Sequence, residues 1–305
     1  MTTRILAAAR ELWQLGAAPI TLLADRENQV YRVDLADGPL ALRLHRINYR
    51  STDEIHSELL WMDMLARSDI RVPKPVPSLD GSMVRQIDGI NVDLLGWIAG
   101  SPMSQIDPTE ERYFELGSLM AKMHTLADAW SLPENFKRPE WDLVGPEPTW
   151  GRFWLNPELD ALQRDKFAGF RQIATESLAA LDSPDIGLIH ADLVPDNVFC
   201  DGQLLHPIDF DDGGFGYRLF DLATVTHRSR RHPAGDAFAR AAVAGYRKIR
   251  DLDLNSLKLF EALRACSYVG WNIARMNEPG AVERNTRFIR EAEKAIDLYI
   301  KHSVD

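Results

Sequence analysis

The hydrophobic period of this chain changes near residue 98, and that change restricts its fold more than any other feature. Before it the pattern is mainly that of strands. Asn28 to Leu35 alternates, Ala36-Asp37-Gly38 reads as a turn, and Leu40 to Leu44 alternates again, which is the signature of a hairpin. On the second of these strands Leu40, Leu42 and Leu44 share one face, and Ala41, Arg43 and His45 share the other. Two further strand-like runs, Ser82 to Gln86 and Ile90 to Leu95, flank the turns at Asp80-Gly81 and Asp88-Gly89. Helical spacing is confined here to residues 4–15 and to about Thr52 to Arg67, where Ile55, Leu59, Leu60, Met62 and Leu65 fall on one side. Val72-Pro73-Lys74-Pro75-Val76-Pro77 punctuates the region as an extended segment.

Beyond Gly96-Trp97-Ile98-Ala99-Gly100-Ser101-Pro102, which reads as a connection, the chain turns helical. Tyr113, Leu116, Met120, Met123 and Ala127 form one amphipathic stripe. Residues 131–152 are rich in proline and tryptophan and have no period, as expected of a functional or mobile stretch. Helices are expected from about Pro157 to Leu181, Ala234 to Lys248, Leu254 to Met276 and Ala281 to His302. The expectation is an α+β protein of two lobes: residues 1–98 as a small antiparallel-sheet N-lobe, and residues 99–305 as a larger, mainly helical C-lobe.

Composition narrows the function classes. A length of 305 residues, 45% of them hydrophobic, suffices for two cores. The net charge of -10, with no Lys/Arg-rich run, argues against nucleic acid as a partner and suits either plain solubility or a cationic substrate. The two cysteines, Cys200 and Cys266, have no zinc spacing and read as small buried hydrophobes. No run of 18 uninterrupted apolar residues occurs, and polar residues break every apolar run of the N-terminus. The expectation is a cytoplasmic protein with no membrane contact.

The chemistry is concentrated in His190-Ala191-Asp192-Leu193-Val194-Pro195-Asp196-Asn197, followed by Pro207-Ile208-Asp209-Phe210-Asp211. Leu188-Ile189 and Leu204 to Phe210 look like short strands around a loop that carries Asp192. Asp192 has the position of a general base for an attacking hydroxyl, since phosphoryl transfer demands orientation more than basicity. Asn197 and Asp209 supply an amide oxygen and a carboxylate suited to a magnesium ion bearing nucleotide phosphates. Asp209 is expected to end an apolar strand, and His190 to support the loop.

This arrangement resembles the aminoglycoside phosphotransferase/choline kinase superfamily, relatives of the protein kinases, over nearly the whole chain. The resemblance rests on the HADLVPDN and IDFDD runs, on Asp221-Leu222-Ala223, and on the pattern of the first hundred residues. It implies a two-lobed protein-kinase-like fold and ATP and Mg²⁺ as cofactors, with ATP bound between the lobes. It also implies Asp192 as base, Asn197 and Asp209 as metal ligands, and Asp221 anchoring the catalytic loop; a helix N-cap is the other reading of Asp221. Ala41-Leu42-Arg43 resembles the Ala-x-Lys of the third kinase strand. By that match Ala41 touches adenine, Arg43 reaches the phosphates, and Glu58 is the ion-pair partner of Arg43, with Glu54 as the alternative. Trp97 and Ile98 are implied as further nucleotide-binding residues.

Three departures are visible. Arg43 stands where the family usually has Lys. Arg26-Glu27-Asn28-Gln29 occupies the place of a glycine-rich loop. Val194 replaces the lysine that protein kinases carry two residues after the base. The last favours a small-molecule hydroxyl acceptor. A protein Ser/Thr acceptor and a nucleotide-binding regulator without catalysis stay open. Trp141, Trp150 and Trp154, with Trp271 and Arg275, read either as walls of the acceptor pocket or as packing.

Overall fold

The computed structural model describes residues 1–25, 28–202 and 204–304. In chain order the elements are α1 (Thr2–Leu12), β1 (Ile20–Asp25), β2 (Gln29–Leu35), β3 (Gly38–Leu44), α2 (Thr52–Arg67), β4 (Val84–Ile87), β5 (Ile90–Gly96) and β6 (Ser101–Pro102). They continue as α3 (Glu110–Ala129), α4 (Ala161–Ala179), β7 (Ile186–Ile189), β8 (Val198–Asp201), β9 (Leu204–Pro207) and β10 (Gly214–Tyr217). The chain closes with α5 (Arg218–Ser229), α6 (Gly235–Ile249), α7 (Leu257–Ile273) and α8 (Ala281–Val304). The class is α+β with a protein-kinase-like fold.

Two compact units result. The first comprises Met1–Asp107, Ala129–Pro139 and Pro195–Gly213; the second comprises Pro108–Asp128, Glu140–Val194 and the chain from Gly214 onward. In the first, five antiparallel strands run in the order β1-β2-β3-β5-β4. Leu42 pairs with Tyr31 on one side and Leu94 on the other, so every second residue of three strands faces one core. α1 covers that core with Ile5, Ala9 and Trp13, and the Trp13 indole donates to the Val76 carbonyl at 2.8 Å. α2 opens on a capping box in which the Ser51 hydroxyl accepts from the Glu54 N–H and the Glu54 carboxylate accepts from the Ser51 N–H. Its buried stripe is Ile55, Leu59, Met62 and Leu65. A small sheet, β6-β8-β9, completes this unit.

The second unit pairs β7 with β10 and packs α5 between α6 and α7, with α8 against α7. α3 and α6 approach so closely that a Cβ on Gly245 would lie 1.8 Å from the Phe114 carbonyl oxygen. The Ser118 hydroxyl ties the same place together by donating to the Gly245 carbonyl at 3.0 Å. In an open helix Gly→Ala gains about 1 kcal/mol. Here overpacking against rigid backbone costs about 2 kcal/mol or more and decides the sign. Gly245→Ala is therefore expected to lower the thermal midpoint by several degrees, and an unchanged or higher midpoint would contradict this close packing.

Several expected bounds move for local reasons. α4 starts at Ala161 because Asp160 caps it, accepting from the Gln163 N–H at 2.8 Å. β9 stops at Pro207 instead of running to Phe210. Ile208 instead donates to the Asn197 carbonyl at 2.9 Å, and Asp209 turns into the left-handed region at φ +63°. β1, β6, β8 and β10 were not anticipated, and of α5 only a helix at Asp221 was implied by the resemblance. Cys200 and Cys266 are both buried. Among the described residues no helix is long and apolar enough to cross a membrane.

Candidate active site

In the second unit, Asp192 sits on the loop after β7, directly behind a residue under backbone strain. Ala191 has φ +67°, a conformation that costs a non-glycine residue about 1 kcal/mol or more. The Asp221 carboxylate offsets that cost by accepting from the Ala191 N–H at 2.6 Å and the His190 N–H at 2.8 Å. Asp221 lies inside the first turn of α5, where Tyr217 is the N-cap, so its carboxylate serves the loop. His124 of α3 contacts Asp221 through Nε2 at 3.1 Å and the Tyr246 hydroxyl through Nδ1 at 2.8 Å. Burial lowers the His124 pKa and keeps the ring neutral. A carboxylate only accepts, so Nε2 donates to Asp221 and Nδ1 accepts from Tyr246. Burial opposes ionisation of Asp221, yet the His124 bond and the loop hold its carboxyl below the usual range. The result is a rigid pedestal under Asp192, made of groups with no exposure to water.

In the first unit, Asn197 and Asp209 lie at one end of the β8–β9 hairpin. Val198 pairs with Pro207, and the Asn197 carbonyl accepts from Ile208, which places residues 197 and 209 at the same end of the ladder. Arg138, from the irregular stretch, holds the turn beyond Asp209. Its guanidinium donates to the carbonyls of Phe210 at 2.8 Å, Asp211 at 2.7 Å and Gly213 at 2.7 Å. Burial, then Glu58 and Asp212, raise the Asp211 carboxyl to about 6.

Ala41, Arg43, Trp97, Ile98 and Asp209 line a single cavity of about 390 Å³. Its remaining walls are mainly apolar, including Leu23, Val30, Met62 and Phe199, with charge concentrated at Arg43 and Asp209. Such a pocket, apolar with a polar end, suits a purine carrying phosphates. A larger cavity of about 610 Å³ shares Trp97 and Ile98 but is lined by Arg71, Asp201 and His206, and it contains none of the other expected residues. The smaller one is the better candidate on chemistry. Of the expected phosphate loop, Arg26 and Glu27 lie outside the described residues, and Asn28 lines the cavity.

Arg43 is not a solvated arm. Its Nη1 donates to Glu58 at 2.9 Å, and its Nε and Nη2 grip Asp93 two-pronged at 2.9 and 2.8 Å. Asp93 also contacts His45 Nε2 at 2.6 Å, and Glu58 also accepts from Arg138 at 3.3 Å. Burial works against the charge on Asp93, but Arg43 and His45 prevail and bring it to about 2. Glu54 is committed to the α2 cap, which leaves Glu58 as the partner of Arg43.

Four further participants were missed: Asp93, His124, Arg138 and Arg264. Asp93 carries a readable signal, being the one charged residue in the apolar run Ile90 to Leu95 and directly opposite Arg43 in the β3–β5 register. Arg138 carries none. Arg264 of α7 donates to Asp192 at 2.5 Å and is fully buried. Trp141 and Trp150 are buried and meet edge-to-face at 5.3 Å, whereas Trp154 lies under Arg171 and Trp271 under Arg275.

The donor set suits a hard cation. Asn197 and Asp209 offer oxygen ligands, and among the described residues no cluster of three His, Cys, Asp or Glu forms a self-contained metal site. Oxygen donors of this kind fit a hard divalent cation that completes its shell with phosphates and water.

Comparison with known proteins identifies the family. The model of the phosphotransferase enzyme family matches residues 20–260. The chain is 30% identical to an amicoumacin kinase of Bacillus subtilis (strain 168) over 75% of its own length and 69% of that protein. It is 28% identical to a homoserine kinase of Chelativorans sp. (strain BNC1), covering 82% of this chain and 77% of the relative. Among solved structures, a microcompartment-associated aminopropanol kinase superposes with a TM-score of 0.82 at 28% identity, covering 96% of this chain and 95% of the other.

Proposed function

This chain belongs to the phosphotransferase enzyme family, and on that premise we propose that it moves the γ-phosphate of ATP to a hydroxyl of a small molecule. The observation that carries the reading is the cavity in which Ala41, Arg43, Trp97, Ile98 and Asp209 converge. Adenine occupies the apolar part against Ala41, Trp97 and Ile98, and the phosphates extend toward Asp209. Asn197 and Asp209 would hold Mg²⁺, which would neutralise phosphate charge. Asp192 orients the acceptor hydroxyl. As the new O–P bond forms and the β–γ bridging bond breaks, ADP leaves and the hydroxyl proton passes to Asp192. His190 and Asp221 keep that carboxylate in place through the backbone. A reaction that draws on ATP assigns the protein to the cytoplasm.

The acceptor is a small molecule with an alcohol group. The relatives act on amicoumacin, homoserine and aminopropanol, according to their names. The test is ADP release from Mg-ATP against a panel of homoserine, aminopropanol and other amino alcohols, aminoglycosides, sugars and nucleosides. At least one should raise ADP release well above the water background. No stimulation by any of them, together with labelled protein bands after incubation with a lysate, would transfer the assignment to a protein acceptor. Asp209→Asn is expected to lower turnover at least a hundredfold and raise the Mg²⁺ needed for half-maximal rate, with adenosine affinity unchanged. An unaltered Mg²⁺ requirement would remove Asp209 from the metal site.

A further inference from the structure

Asp192 is gripped by a cation for which folding alone gives no reason. Arg264 of α7 is completely buried. Its Nη2 donates to Asp192 Oδ1 at 2.5 Å and to the Tyr268 hydroxyl at 2.7 Å. Its guanidinium lies 4.5 Å from the centre of the Trp150 ring, 4.3 Å from that of Tyr268 and 5.4 Å from that of Phe220. Its Nε and Nη1 donors find no acceptor among the described residues. A buried guanidinium with two unused donors is costly, and an apolar side chain of similar size is commonly as stable or more so. Aromatic faces recover part of that cost, but they do not require a charge at this position. The asymmetry indicates that the charge serves the carboxylate it touches.

We propose that Arg264 is the positioning residue of the general base, fixing the plane of the Asp192 carboxylate and keeping it ionised. Tyr268 and Trp150 in turn fix the guanidinium, so the base is held from below by the Asp221 pedestal and from the side by an immobile cation. This rests on the assignment of Asp192 as base. Because the role is exercised through Asp192, it acts on kcat and on the pH at which the base becomes active, and not on nucleotide affinity.

The experiment measures ADP release from Mg-ATP, with homoserine, aminopropanol and water as acceptors, from pH 5 to pH 9. Arg264→Met is expected to lower kcat at least thirtyfold, leave KM for ATP within twofold, and move the acid limb of the kcat profile to higher pH. Arg264→Lys, which keeps a charge without the fork, should recover part of both. Tyr268→Phe removes only the hydroxyl that anchors Nη2; it should lower kcat several-fold and shift the limb in the same direction. That variant decides the matter if Arg264→Met does not fold. Asp192→Asn and the Asp192→Asn/Arg264→Met pair close the cycle: the double variant should be no slower than Asp192→Asn alone. If Asp192→Asn is inactive but the Arg264 and Tyr268 variants keep the wild-type kcat and pH profile, the positioning role is overturned and the base stands. If Asp192→Asn itself keeps full turnover, the base assignment fails, and the positioning role fails with it.

Discussion

Asp192→Asn is expected to reduce turnover by about two to four orders of magnitude while the nucleotide still binds. The amide keeps the size of the side chain and can accept from Arg264, but it cannot take a proton from the acceptor. The change also leaves the buried Arg264 without its counter-charge, so some stability, about 1–3 kcal/mol, goes with it. Asp192→Glu separates the two effects. It preserves the charge and displaces the carboxylate by one methylene, and a displacement of about 1 Å is worth up to a hundredfold in rate. Both variants should therefore be slow, and the glutamate should be the more stable. Trp97 lines the proposed nucleotide cavity and supplies the binding control through its fluorescence on titration with ATP. Turnover within tenfold of wild type in the asparagine variant would remove Asp192 from the chemistry.

How far such a site can be read from sequence depends on what kind of interaction makes each part. α2 was expected from Thr52 to Arg67 and occupies those residues, because a capping box and an uninterrupted apolar stripe mark both its start and its face. The hairpin of β2 and β3 was equally legible from alternation around a short turn. β1 was not: it is an edge strand with three consecutive exposed residues, Thr21, Leu22 and Leu23, so it has no alternation to read. α5, implied only by the resemblance at Asp221, shows no stripe of its own for the opposite reason. Nearly all its residues are buried, Arg218, Asp221, Thr224 and His227 among them, and a helix enclosed on every side shows no stripe. The run His190–Asn197, which carries the proposed base, stood out because its residues are close in sequence and of unusual type. Its supports did not, since Arg138, His124 and Arg264 reach it only through the tertiary fold. Arg264 does leave one trace: it is a charged residue in α7, whose other residues are mostly apolar and buried.

Arg43 is the position at which sequence and structure together give the sharpest expectation for stability. Read as a substituted phosphate ligand, Arg43 would be dispensable to the fold. The structure makes it the hub of a buried cluster, with two carboxylates, Asp93 and Glu58, at 0% exposure. Removing one partner of such a group leaves an uncompensated buried charge, which costs about 3–5 kcal/mol. Arg43→Met is thus expected to lower the thermal midpoint by roughly 10 °C. The pH dependence distinguishes this from simple loss of packing. In the wild type, Asp93 is depressed to about 2, so its stabilisation is fully present above the ordinary carboxylate range and is lost only as pH falls toward 2. In the variant, burial acts with less opposition and raises the carboxyl groups of Asp93 and Glu58. The gap in stability between the two proteins should then be widest near pH 7 and narrow as the solution is acidified toward pH 5, because protonation relieves the variant first. Urea denaturation at a series of pH values measures that gap directly. A difference below about 1 kcal/mol, or one independent of pH, would mean that the guanidinium does not neutralise these carboxylates in solution and is instead available to the phosphates of the nucleotide.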